Sequence, residues 1–162
     1  MGKERLTQIA FVAVSLSMFQ SVPAHGETIS GYARVIDGDT LVISKTHVRL
    51  AGIDAPEHNQ LCDGQPLGAQ ASSYLRGLVE GRRVDCDVST HDKYGRSIAT
   101  CVTYYESGTV DISRMMVLGG YAFSYDHYST KYYVDELRSI VEEGPVHKYH
   151  CMKPWEWRRE HL

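Results

Sequence analysis

Three short clusters concentrate carboxylates and guanidinium groups: Asp37-Gly38-Asp39-Thr40, then Arg49 with Asp54-Ala55-Pro56-Glu57, then Asp92-Lys93-Tyr94-Gly95-Arg96. Taken singly, each reads first as a turn: Asp-Gly-Asp-Thr is good turn chemistry and Asp-Lys-Tyr-Gly-Arg suits a solvated hairpin tip. The first is not an EF-hand, because the remaining oxygen ligands and the closing Glu of such a loop are missing. Taken together, they supply hard oxygen ligands for a divalent ion, two guanidinium groups and a carboxylate base. That is the set that phosphodiester hydrolysis requires. Negative charge on a phosphate grows during attack, and arginine meets it with a planar fork that stays protonated. A cation held by Asp39 and Asp54 would neutralise a phosphate oxygen and orient a water. Glu57, three residues beyond Asp54 on the same loop, is placed to act as general base.

Short β-prone runs at residues 29–36, 40–44 and 47–53, broken by Asp37-Gly38-Asp39 and Lys45-Thr46, predict a three-strand meander carrying the first cluster and Arg49. Leu67, Tyr74, Leu75, Leu78 and Val79 fall at helical spacing within residues 66–79, and Gly81 is a helix stop. Residues 83–90 and 97–103 predict a hairpin around the turn at residues 92–95. Asp111 is placed to cap a helix over residues 112–118, and Thr130 one over residues 131–143. Five strands with a helix between the third and fourth is the order of a small OB-type barrel, here with three helices (β-β-β-α-β-β-α-α).

Composition bounds the rest. With 43% hydrophobic and 23% charged residues, the 162-residue chain fits one globular domain. Lys3 and Arg5, an apolar run over residues 9–19 and Val22-Pro23-Ala24 have the form of a secretory signal, so residues 1–24 are expected to be removed and the mature chain to begin near His25. The apolar run is shorter than the roughly 20 residues that span a bilayer. We therefore expect an exported monomer, periplasmic or secreted, without stable membrane association. Without residues 1–24 the chain keeps 15 basic and 19 acidic residues, and its net charge moves from −3 to −4. This speaks against a tight, non-specific nucleic-acid binder, which needs a basic face. An enzyme needs positive charge only at its site.

Cys62, Cys86, Cys101 and Cys151 follow the export signal and lack Cys-x-x-Cys spacing, so disulfides are expected over a zinc site. Three pairings are possible. If the turn at residues 92–95 sets the hairpin register, Cys86 opposes Cys101 within bonding reach. Cys62 then pairs with Cys151 by elimination, tying the loop after Glu57 to the tail.

In order and type, Val-Ile-Asp-Gly-Asp-Thr, Val-Arg-Leu-Ala-Gly-Ile-Asp-Ala-Pro-Glu and Asp-Lys-Tyr-Gly-Arg resemble the staphylococcal nuclease family over residues 30–143. The resemblance implies a five-stranded OB barrel with three helices that uses Ca²⁺ to cleave DNA and RNA, leaving 3′-phosphates. It implies that Asp39 and Asp54 bind calcium through their carboxylates and Ala55 through its carbonyl. Arg49 and Arg96 would clamp the phosphate, and Glu57 would be the proposed base. Lys93 and Tyr94 would line the nucleotide site, joined by an aromatic residue from the Tyr125 to Tyr128 segment. Asp37 would tune the ion site without binding the ion.

The chain also departs from the staphylococcal pattern. Gln60-Leu61-Cys62-Asp63-Gly64 replaces a lysine-rich loop, and the tail from Gly144 differs, with Pro154-Trp155-Glu156-Trp157-Arg158 near its end. The expected domain therefore covers residues 25–150, with residues 151–162 a tail whose tryptophans pack on the barrel, and Arg158-Arg159 read as solvated charges. No histidine is assigned a metal role. Two other function classes stay open: an OB-type module that binds oligonucleotides or oligosaccharides without chemistry, and an envelope protein with a polysaccharide-related role.

Overall fold

The computed structural model describes residues 26–125 and 129–161. The expected signal segment and Tyr128 lie outside them. Strands β1 (Thr28–Asp37), β2 (Thr40–Ile43) and β3 (Thr46–Leu50) form the expected meander. The β2–β3 turn is Ser44-Lys45, one residue earlier than expected, with both residues in the left-handed region (φ 48° and 76°). Positive φ at both central positions is the requirement of a two-residue hairpin turn whose twist matches its strands. After β4 (Ile53–Asp54) and helix α1 (Leu67–Val79), strands β5 (Arg83–His91) and β6 (Ser97–Tyr105) make the expected hairpin. Parallel pairing of β3 with β6 closes β3-β2-β1-β5-β6 into a five-stranded barrel, and β7 (Gly108–Asp111) extends it beyond β6. The OB-type expectation holds.

The barrel closes because alternate residues point inward. In β3, Val48 and Leu50 are buried while Arg49 between them is not, so Arg49 stands on the opposite face. The interior is filled by Leu41, Ile43, Val48, Leu50, Val84 and Ala99, capped by Leu75 and Val79 from α1 and by Ile112 and Met116 from helix α2 (Ile112–Leu118). Asp111 caps α2 as expected, accepting the Arg114 N–H at 3.0 Å.

Strand β8 (Phe123–Ser124) was not foreseen; it pairs with β4 and sets Asp54 opposite Phe123. Helix α3 (Tyr133–Val141) is shorter than the predicted 131–143, and Thr130 does not cap it: Thr130 offers only its carbonyl, to the Tyr133 N–H at 3.1 Å. Two short tail helices follow, α4 (Pro145–Lys148) and α5 (Pro154–His161), beyond the three expected. Among the described residues no helix is long and apolar enough to cross a membrane.

Both disulfides form, Cys86–Cys101 and Cys62–Cys151. Cys86 does oppose Cys101, yet the turn is one residue wider than assumed, since the Asp92 N–H donates to the Arg96 carbonyl. A bulge between Val88 and Thr90 takes up the extra residue and restores the register at the cysteines. The second disulfide sits in a satellite cluster of Cys62, Leu67, Phe123, Val146 and Cys151, with Tyr149 and Trp155 packed against it. That cluster lies beside β4, so the tail is held next to the loop that carries Asp54 and Glu57.

Candidate active site

Asp39 enters the site from the β1–β2 turn, and its position is set by a close approach. A side chain on Gly38 would place its Cβ 2.6 Å from the Ala55 Cβ and 2.8 Å from the Ala71 Cβ. Glycine at this position therefore lets the turn lie directly on the Asp54 loop and α1. The Asp39 carbonyl accepts the Leu50 N–H at 2.9 Å, and its Oδ2 accepts the Ala55 N–H at 3.2 Å. The turn, the end of β3 and the loop after β4 are thus locked into one unit.

At its centre is Arg49. Nη1 donates to Asp39 Oδ1 and Nη2 to Asp54 Oδ1, each at 2.7 Å. Asp54 is fully buried and Asp39 nearly so, so the two guanidinium bonds compensate carboxylates that have little access to water. Burial works to raise the Asp39 carboxyl, but Arg49 and the Ala55 N–H outweigh it and hold its pKa below the usual carboxylate range. Asp37 lacks such a partner. Burial and the adjacent Asp39 push its carboxyl up to about 6. It accepts the Asp39 N–H at 3.1 Å.

Glu57 is fixed through its backbone. An added Cβ at Gly68, in the first turn of α1, would come within 1.8 Å of the Glu57 carbonyl oxygen, so only glycine lets the loop seat there. Buried Gln60 completes the hold: its Oε1 accepts the Glu57 N–H at 3.1 Å and its Nε2 donates to the Met152 carbonyl at 2.7 Å. Gly68→Ala is expected to cost about 1–3 kcal/mol of stability, the usual range for an overpacked contact, and to lower activity further by displacing Glu57. Denaturant unfolding alongside a nuclease assay checks it; wild-type values in both would remove this constraint.

Arg96 stands at the neighbouring strand end. The β3–β6 register pairs Arg49 with Ile98, two residues after Arg96. Its Nε donates to Asp92 Oδ2 at 2.7 Å, and Asp92 Oδ1 also accepts the Tyr94 and Arg96 N–H groups at 2.9 and 3.0 Å. Lys93 and Tyr94 lie at the exposed hairpin tip, with the Lys93 Nζ 5.0 Å and the Arg96 Cζ 5.8 Å from the Tyr94 ring centroid. Tyr125 packs its ring 5.0 Å from that of Trp155. The structure therefore joins Asp39, Arg49, Asp54 and Ala55 directly, with Glu57 further along the same loop and Arg96, Lys93 and Tyr94 on the adjoining hairpin.

One residue was misread. Arg158 is not a solvated charge: from α5 it donates through Nη2 to Asp54 Oδ2 at 2.7 Å and through Nη1 to Glu57 Oε1 at 2.6 Å and Asp54 Oδ1 at 3.2 Å. The Cys62–Cys151 link was the available signal, because it already brought a basic tail to the loop after Glu57. Neither Gln60 nor Gly68 carried any signal, since both act through contacts made only on folding.

The donor set suits a hard divalent ion: two buried carboxylates, Asp39 from the β1–β2 turn and Asp54 from the end of β4, with Glu57 on the loop that follows. Among the described residues, no three His, Cys, Asp or Glu side chains converge as a ready cage, and the carboxylate oxygens are turned on Arg49 and Arg158.

Residues 47–148 match the family described as staphylococcal nuclease homologue. The chain belongs to that family. Among similar proteins is a micrococcal nuclease of Shigella flexneri, 29% identical over 97% of this chain and 95% of its own. Protein ParB of Escherichia coli is 32% identical over 85% of this chain and 83% of its own. The succinoglycan biosynthesis protein ExoI of Rhizobium meliloti is 29% identical over 89% and 76%. As a staphylococcal nuclease homologue, the chain is a nuclease.

Proposed function

We propose that this nuclease hydrolyses phosphodiester bonds of DNA, RNA or both with the help of Ca²⁺, leaving products with 3′-phosphates. One observation carries the reading: Arg49 bridges Asp39 and Asp54, with Glu57 on the same loop. Asp39 and Asp54, with the Ala55 carbonyl, would hold the ion, which supplies charge neutralisation on the phosphate and a site for water.

The remaining work falls to side chains. Arg49 and Arg96 grip the phosphate and meet the charge that develops as water attacks phosphorus. Glu57 takes the proton of that water. The bond to the 5′-oxygen breaks, so phosphate stays on the 3′ side and the departing strand gains a proton and a 5′-hydroxyl. Arg96 leaves Asp92 to do this, and Glu57 leaves Arg158. Lys93, Tyr94 and an aromatic residue of the Tyr125 to Tyr128 segment would flank the nucleotide.

The ends of the products test the bond assignment. Fragments are expected to accept label directly from polynucleotide kinase, as 5′-hydroxyls do; fragments that need phosphatase first would contradict it.

We also place the protein outside the cytoplasm, in the periplasm or medium, as a monomer. Its signal-like residues 1–24 and two formed disulfides support export. The name of the Rhizobium relative raises a polysaccharide-related role, but paired arginines among carboxylates suit phosphate better than sugar.

A further inference from the structure

The acid cluster carries a cation of its own from a distant part of the chain. Arg158 lies 104 residues beyond Asp54, yet its fork takes Asp54 Oδ2 and Glu57 Oε1 and also touches Asp54 Oδ1. With Arg49 already on Oδ1, both oxygens of Asp54 are engaged by guanidinium groups. A divalent ion that binds Asp54 therefore meets Arg158 as a competitor for the same oxygens and as a like charge beside them.

Arg158 is delivered by construction. The Cys62–Cys151 disulfide anchors the tail to the loop after Glu57, Gln60 bonds the Met152 carbonyl, and Trp155 packs against Phe123 and Tyr125. Pro154 at the start of α5 is buried. Such a tether gives the guanidinium a high effective concentration at the carboxylates without any partner molecule. The side chain keeps 31% exposure, so it has room to swing away when displaced.

We propose that Arg158 is a built-in counter-ion that competes with the divalent cation for Asp54 and Glu57 and so sets the cation concentration at which the site fills. It keeps the buried carboxylates compensated while no cation is bound, and it yields to the cation on loading. Arg158 is a positioning residue in this scheme, acting through Asp54 and Glu57. The proposal rests on the calcium reading above.

Calcium binding, measured by titration calorimetry on the purified protein with its disulfides intact, tests it apart from activity. Arg158→Ala is expected to bind calcium about tenfold or more tightly than wild type, because a fixed positive charge at contact distance is removed. Arg158→Lys, which keeps the charge but lacks the fork, should fall between the two. A merely structural role for the tail would loosen the site, so weaker or unchanged calcium affinity in Arg158→Ala overturns the inference. If wild type cleaves only with calcium while the affinities are equal, the inference alone fails. If neither protein binds calcium and cleavage ignores it, the calcium reading fails and takes the inference with it.

Discussion

Arg49→Ala is expected to lower cleavage by about three orders of magnitude or more, on the scale of losing an arginine that meets charge at a transferring phosphoryl group. It is expected also to cost about 3–5 kcal/mol of stability, the range for breaking a buried pair from one side. Both effects arise because the residue has two roles. It offers the phosphate a planar fork, and it holds two carboxylates that folding has taken out of water, Asp54 at 0% and Asp39 at 5% exposure. Arg158 still compensates Asp54 in the variant, whereas Asp39 loses the one guanidinium bonded to it among the described residues. The stability loss should therefore shrink when Asp39→Asn is added, while activity stays low. Arg49→Lys should restore little, since one ammonium does not bridge both carboxylates. Urea unfolding and initial rates on single-stranded DNA measure the two effects; a stable, inactive Arg49→Ala would show that the carboxylates do not need the bridge.

Arg96→Ala separates chemistry from folding. Its rate is expected to fall by about two to three orders of magnitude, as when a single donor to a developing oxyanion is removed. Its stability should move by about 1 kcal/mol or less, because the Asp92 pair is at the partly exposed hairpin tip and such pairs contribute little. Asp92 retains the Tyr94 and Arg96 backbone N–H groups, which keep the turn formed without the guanidinium. The loss should appear in kcat more than in KM if Arg96 acts mainly as charge develops. A KM effect alone would move Arg96 from catalysis to binding.

The contrast between the two arginines explains what could be read before folding. Strand alternation and turn chemistry located Arg49 on the third strand, Asp39 in a turn and Arg96 after a hairpin, because those are local properties. The closed barrel followed from element order. The Cys86–Cys101 pairing was reached on a register the turn does not have, and it stands because the bulge after Val88 compensates for the wider turn. Contacts between distant segments were not legible. The Gly38 and Gly68 close approaches, the Gln60 bridge and β8 exist only once the Asp54 loop, α1 and the tail meet. Arg158 is the clearest case: a charge run near the end of a chain is usually solvated, and only the Cys62–Cys151 link pointed elsewhere.

The same geometry gives a reason for the glycine between Asp37 and Asp39. Asp-Gly-Asp is a turn, but its glycine is needed because Ala55 and Ala71 approach too closely for a side chain. The motif thus encodes the docking of the turn onto the Asp54 loop as well as the ligand at its end.

The most direct test of the central claim is cleavage of single-stranded DNA by wild type and Glu57→Gln, each with excess calcium and with a calcium chelator. Wild type is expected to cut only with calcium, and Glu57→Gln to cut orders of magnitude more slowly while remaining folded. Undiminished cleavage in chelator, or a Glu57→Gln variant as fast as wild type, would contradict it.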